Sequence, residues 1–248
     1  MNDVEASDDH NLYGSLAPVY EFVYDRHFDY EAQLDVVRET IPETEASILE
    51  VGCGTGQLLA LLDATYEHVV GVDLHDEMSA IARAAVPAVD VITGDMTTLA
   101  IDEQFDGVVM LGRVVPHCLT DDAATRLLEN CRTHLIPGGR VVFNTFDWRG
   151  FEDGRVSEDT YTSDAFEVQR TLESFVTDEA TGRWGFDAAY VITERESDTT
   201  VTAEETMHLR AHTPDDIRTY LASAGYEDVS LERESTFSLR AVARNPSA

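Results

Sequence analysis

Lysine is missing from this 248-residue chain: all 17 basic residues are arginine, set against 48 aspartates and glutamates for a net charge of −31. Without lysine there is no Schiff-base chemistry and no Walker-type phosphate lysine. Cysteine is scarce: Cys53, Cys118 and Cys131 are too few and too scattered for a disulfide framework or a zinc knuckle. No His, Asp or Glu spacing resembles a metal site, so no metal is expected. No apolar run approaches the ~20 residues of a membrane helix. The opening MNDVEASDDH has neither a basic nor an apolar signal region. Together these absences predict a cytoplasmic protein. The shortage of positive charge argues against nucleic acid and anionic membranes as partners.

What is present begins with that acidity, which is spread along the whole chain. Dense surface carboxylates keep a protein hydrated in a salty cytoplasm, and at ~1 M salt charges are screened beyond about 3 Å. The charge therefore speaks for a halophilic habitat. With 43% hydrophobic residues the chain can bury a sizeable core, and one domain is expected over 1–248. Its subdivisions are an N-terminal helical lid at 1–42, a core at 43–149, an insert at 150–211, and a final helix with closing strands at 212–248.

The core alternates strand and helix. Strands are predicted at 47–51, 68–73, 89–93, 105–111 and 140–146, with helices from Gln57, Asp76 and Asp121, the last capped by Thr120. Pro137-Gly138-Gly139 reads as a turn. Such alternation implies an α/β, doubly wound, mostly parallel sheet covered on both faces. Residues 150–211 break the rhythm. The spacing of Trp184, Phe186, Ala188, Tyr190 and Ile192, then Val201, Ala203, Met207 and Leu209, predicts an antiparallel β insert. Thr213-Pro214 with Asp216 starts the last helix. Near the N-terminus, apolar residues at helical spacing from Leu12 to Tyr24 are interrupted by Pro18, which predicts a kink or two short helices. Residues 1–10 are polar and expected to be disordered.

The strongest chemical signal is Ile48-Leu-Glu-Val-Gly-Cys-Gly-Thr-Gly-Gln57. A buried strand runs into Gly52, Gly54 and Gly56, then into a helix. Glycine there lets a ligand approach the backbone at the carboxyl end of the sheet. Dinucleotide sites space their glycines G-x-G-x-x-G, which would put the third at 57, but 57 is Gln. Glu50 also opposes a pyrophosphate and suits a ligand carrying an ammonium and a sulfonium. Asp73, at the end of the second strand, can accept from ribose hydroxyls, while Leu74 and Met78 can flank an adenine. Asp95 and the Met96 amide can meet its polar edge. Cys53 fills space between glycines.

These motifs, EVGCGTG, GVDLHDEM, GDMTTL, FDGVVML and LIPGGRVVF, in this order, resemble the class I S-adenosylmethionine-dependent methyltransferases over about residues 45–147. The resemblance implies a Rossmann-like, seven-stranded sheet with its last strand antiparallel. It also implies S-adenosylmethionine as cofactor, S-adenosylhomocysteine as product, and a cofactor site lined by Glu50, Gly52, Gly54, Asp73, Asp95 and Met96; Cys53, Gly56, Leu74, Met78 and Leu111 are expected beside them. More narrowly, Leu16-Ala-Pro-Val-Tyr20, Tyr24, Asp29-Tyr30, Pro116-His117 and Glu204-Glu-Thr are similar to small-molecule N-methyltransferases acting on amino sugars.

On the acceptor side, an amine must be neutral to attack. His117, following the fourth strand, is the candidate base or acceptor-orienting group. Tyr20 and Tyr24, four apart on one helical face, can orient the acceptor, or simply pack that face on the core. Arg113 could meet an anion or form a surface ion pair. His208 is expected on a solvated strand face, and His212 against the last helix. The expected reaction is methyl transfer to a small-molecule acceptor, most plausibly an amine; O- or C-methylation and a non-catalytic cofactor-binding module are the alternatives. The insert could also pair two copies into a homodimer.

Overall fold

The computed structural model describes residues 12–14, 16–24, 26–196 and 199–247; the stretch 1–10 lies outside them. The chain forms two compact units. One comprises Asp29–Phe151 and Leu209–Ala248; the other takes in the chain up to Phe28 together with Glu152–His208.

The larger unit is built on a seven-stranded sheet. In chain order its strands are β1 (Ser47–Val51), β2 (His68–Asp73), β3 (Asp90–Thr93), β4 (Phe105–Met110) and β5 (Leu135–Phe146), closed at the C-terminus by β10 (Glu227–Ser235) and β11 (Ser238–Arg244). Their spatial order is β10-β11-β5-β4-β1-β2-β3, and β11 is antiparallel to both neighbours while β1 to β5 pair in parallel. Helices α2 (Tyr30–Thr40), α3 (Gln57–Asp63), α4 (Asp76–Ala85), α5 (Asp121–Thr133) and α6 (Pro214–Ser223) complete it.

Strand alternation explains the layering. Ile48, Val69, Val91, Val109 and Val142 face one side and pack with Leu34 and Val37 of α2, Leu58, Leu59 and Leu62 of α3, and Ala82 of α4. Their neighbours Leu49, Val70, Val108 and Val141 face the other side, against Leu127 and Leu128 of α5 and Ile217 and Leu221 of α6. Both faces are covered, which is why these strands read as nearly continuous apolar runs. The predicted caps form: Thr120 accepts from Ala123 N, and Thr213 and Asp216 make a reciprocal capping box.

One element differs from expectation. Pro137-Gly138-Gly139 is not a turn before β5 but an irregularity within it. Pairing with β4 passes from Phe105↔Leu135 to Gly107↔Arg140, so β5 accommodates extra residues. Gly138 sits at φ +87°, and a side chain at Gly139 would lie 3.0 Å from the Asp106 and Ile136 carbonyls. Glycine is thus required where a bulge presses on neighbouring backbone.

The smaller unit has α1 (Ala17–Tyr24) and a four-stranded sheet in the order β6-β7-β8-β9, from β6 (Val156–Thr162), β7 (Phe166–Asp178), β8 (Arg183–Glu194) and β9 (Thr199–Arg210). Pro18 falls in the first turn of α1, where its missing N–H costs nothing, so it starts the helix instead of kinking it. Leu12, Leu16 and Val23 share a core with Tyr161, Val168, Ala188, Tyr190 and Ala203. The sequence pattern pointed to β8 and β9 alone. β6 and β7 escaped because their buried stripe is interrupted: Arg170 lies between Val168 and Leu172 and is itself buried. No described helix is long and apolar enough to cross a membrane.

Candidate active site

The carboxyl ends of β1, β2, β3 and β4 carry most of the residues singled out in the larger unit. After β1 the chain turns through Gly52, Gly54 and Gly56, all at positive φ (+72°, +56° and +93°). Gly52 N and Cys53 N donate to the Val72 carbonyl at 2.7 and 3.0 Å, and Gly54 N donates to Asp73 Oδ2 at 2.9 Å. The loop is therefore tied to the end of β2. The glycines are not equivalent. A Cβ at Gly52 would lie 2.3 Å from Val114 Cγ2, whereas one at Gly54 would meet nothing within 4 Å. Gly54 presents bare backbone to open space.

Glu50 lies at this end of β1. It is buried, and its Oε2 has no hydrogen-bond partner among the described residues. Burial, reinforced by the charge of Asp73, holds its carboxyl well above the usual range. A buried carboxylate without a partner is costly unless a cation arrives. Beside it the Asp73 carboxylate accepts from Gly54 N and, through Oδ1, from His75 N at 3.0 Å. Each oxygen retains a second lone pair for a hydroxyl donor. Leu74 is 56% exposed, an apolar surface next to that carboxylate, but Met78 is buried in the layer beneath. A buried carboxyl oxygen without a partner among the described residues, an open glycine backbone, a hydroxyl-accepting Asp and an exposed Leu fit a ligand with an ammonium, a ribose and an apolar ring.

The remaining cofactor-side residues differ in placement. Cys53 is buried, and burial pushes its thiol up, as expected of a space-filler. Asp95 is exposed, and its Oδ1 accepts from Thr97 N at 2.8 Å, so it shapes the turn after β3. Met96 is buried, its carbonyl held by Asn130 Nδ2 at 2.8 Å. The carbonyl of buried Leu111 accepts from Gln33 Nε2 (3.3 Å) and Asn144 Nδ2 (2.9 Å).

After β4 the loop 111–114 leads into a single tight turn, Val115–His117. The His117 ring has an open surface, yet protein packed around it displaces bulk water. That desolvation, with His75 adding to it and Asp73 opposing, pushes its pKa down to about 4. His117 is consequently neutral at pH 7. Among the described residues Arg113 makes no surface ion pair of the expected kind. It adopts φ +64°, donates from Nη1 to the Thr145 carbonyl at 2.9 Å, and stacks over Phe146 at 4.8 Å. His212 is buried, with Nδ1 2.8 Å from Thr145 Oγ1 and its ring edge-on to Tyr220 of α6.

Within the smaller unit, Tyr20 and Tyr24 stack with ring centroids 4.6 Å apart. Burial raises the Tyr24 pKa, although Arg170, whose guanidinium lies 5.4 Å from its ring, works the other way. Arg170 also pairs with Asp159 at 2.8 Å. Glu205 accepts from Leu12 N, and burial pushes its carboxyl to about 7. His208 is exposed and packs edge-on to Phe175. The sequence reading missed Arg170 and Asn144; in each case one polar residue in a strand was the only signal.

Residues 48–139 match the family described as methyltransferase domain. The chain is 32% identical over 165 residues to the dTDP-3-amino-3,4,6-trideoxy-alpha-D-glucopyranose N,N-dimethyltransferase of Streptomyces venezuelae, covering 64% of this chain and 69% of that protein. It is 34% identical over 131 residues to the dTDP-4-amino-2,3,4,6-tetradeoxy-D-glucose N,N-dimethyltransferase of Saccharopolyspora spinosa, covering 51% of this chain and 52%, about half, of that protein. A solved amino pentose methyltransferase from Micromonospora echinaspora, with S-adenosylmethionine bound, superposes with a TM-score of 0.78 at 26% identity, covering 94% of this chain and 99% of its own.

Proposed function

Because the chain belongs to the family of S-adenosylmethionine-dependent methyltransferases, we propose that it methylates the amine of a small molecule, an amino sugar carried on a nucleotide. The named relatives act on dTDP-linked amino sugars, and their similarity supports that class of acceptor. When bound, S-adenosylmethionine supplies a methyl group already activated on a sulfonium and leaves as S-adenosylhomocysteine. Glu50 takes its ammonium, the Gly52–Gly56 loop gives it close backbone approach, Asp73 accepts from its ribose hydroxyls, and Leu74 covers its ring.

What the chain must then provide is placement and dryness, since positioning alone can be worth ~7–11 kcal/mol. One observation carries the acceptor side: His117 is exposed in the turn that follows β4, at the carboxyl edge. Desolvation lowers its pKa, and an imidazole is in any case too weak a base to hold a proton taken from an alkylammonium at neutral pH. It can accept a hydrogen bond from an amine that is already neutral and so aim the nitrogen lone pair. The ammonium's proton goes to solvent, before attack and again from the methylated product. Tyr20 and Tyr24 pack their ring faces on the core of the smaller unit. The charge of −31 supports a small acceptor over nucleic acid, and a cytoplasm rich in salt. Exposed Val191 and Val201 on the four-stranded sheet support pairing of two copies there.

The test is transfer of radiolabelled methyl in concentrated KCl to pools of amines, nucleotide-linked amino sugars and hydroxylated small molecules, with His117→Ala alongside. Label entering the amino sugar pool, with kcat down about 10–100-fold in the variant, supports the reading. Label only in hydroxylated compounds overturns it. The rate should rise with pH through the pKa of the acceptor amine and show no limb near 6.5.

A further inference from the structure

The loop between β4 and His117 follows an unusual path. Arg113 is one of two non-glycine residues with positive φ among those described, at +64°. Left-handed backbone is strained for an ordinary residue, so something must hold it there. The holder is Asn144, a buried side chain on β5. Its Oδ1 accepts from Arg113 N at 3.1 Å, while its Nδ2 donates to the Leu111 carbonyl at 2.9 Å. One amide therefore grips the loop on both sides of Gly112, where β4 and β5 part.

The gripped loop touches both halves of the chemistry. Val114, the next residue, fills the space over Gly52, where a Cβ would lie 2.3 Å from its methyl. Gly112 comes close enough that a Cβ on it would be 3.2 Å from the Gly52 carbonyl. The same loop continues through the Val115–His117 turn, in which His117 N donates to the Val114 carbonyl at 3.1 Å. We propose that Asn144 is a positioning residue, which fixes loop 111–117 so that Val114 shapes the glycine loop and His117 is presented to the acceptor. Asp cannot donate to Leu111, and Ala does neither job. The proposal rests on the cofactor assignment but not on the identity of the acceptor.

The experiment measures binding of S-adenosylhomocysteine by calorimetry and the His117 ring resonances by NMR, identified by their loss in His117→Gln. Asn144→Ala is compared with Val142→Ala, a cavity on the same strand, at a temperature where both are folded. The expected result is product binding weakened about tenfold or more in Asn144→Ala, from two lost buried hydrogen bonds, with the His117 signals shifted. Val142→Ala should lose thermal stability yet bind within twofold of the parent. Asn144→Asp, which keeps the bond from Arg113 N, should fall between, and it stands in if the Ala variant does not fold. Unchanged affinity and unshifted His117 signals in the folded Asn144 variants, or equal loss in Val142→Ala, would overturn the proposal. Failure to find an amine acceptor would leave these binding results untouched.

Discussion

Glu50 shows how a single residue can set ligand affinity against stability. Its carboxyl is raised by burial, so the folded chain holds a proton that the unfolded chain releases. The contribution of this group to stability is fully present below the ordinary carboxylate pKa and is lost as pH rises through the raised value. Glu50→Gln removes that loss. Without ligand, the variant should melt higher than the parent at pH 7 and converge with it near pH 4, as read by thermal denaturation. Affinity for S-adenosylmethionine should move the other way, down about tenfold or more, because a charge-assisted hydrogen bond is worth ~1.5–3 kcal/mol. The sequence singles out Glu50 because it stands two residues before Gly52 at the end of an apolar strand. It does not single out Asn144. A lone Asn near the end of an apolar strand looks the same whether it grips a loop or meets solvent, and the choice is made by β4, more than thirty residues earlier.

Among the elements, the glycine loop makes the sharpest contrast. Gly52→Ala would drive a methyl into Val114 as well as strain φ +72°, so both the loop and the turn after β4 must shift. Gly54→Ala has open space for its methyl and only the strain of φ +56° to bear, about 1–2 kcal/mol. Thermal melts should show Gly52→Ala clearly more destabilised than Gly54→Ala. Titration with S-adenosylhomocysteine should show both impaired, Gly54→Ala because its methyl projects where ligand is expected. The parallel strands and their helices were legible because burial on both faces leaves long apolar runs bounded by caps such as Thr120 and Thr213. β6 and β7 were not, since Arg170 occupies a core position through its pairing with Asp159, a partner that no local pattern announces. The bulge in β5 was read as a turn because Pro-Gly-Gly carries the same local signature in either role.

At the scale of the whole molecule the controlling quantity is charge. Acidic residues exceed arginines by 31, and self-repulsion in the folded state is screened over a Debye length of about 10 Å at 0.1 M salt and 3 Å at 1 M. The melting temperature should therefore climb steeply with KCl between these concentrations, and much less between 1 and 3 M if screening alone is responsible. A melt insensitive to salt would mean that the carboxylates are too well separated to matter. The two compact units also divide the chain in a way that linear segments do not. α1 shares its core with the four-stranded sheet, while α2 packs against α3 and β5 of the larger unit.

That shared core has a consequence for inheritance and engineering. Leu12, Leu16 and Val23 come from one end of the chain and Val168, Ala188 and Tyr190 from more than a hundred residues later, yet they bury one another. Neither piece can be exchanged alone. A chimaera that borrows only the sheet from a homologue would inherit an apolar face cut for a different helix. Recombination within this unit must therefore move two distant stretches of gene together, or let point mutations on each side keep pace with the other.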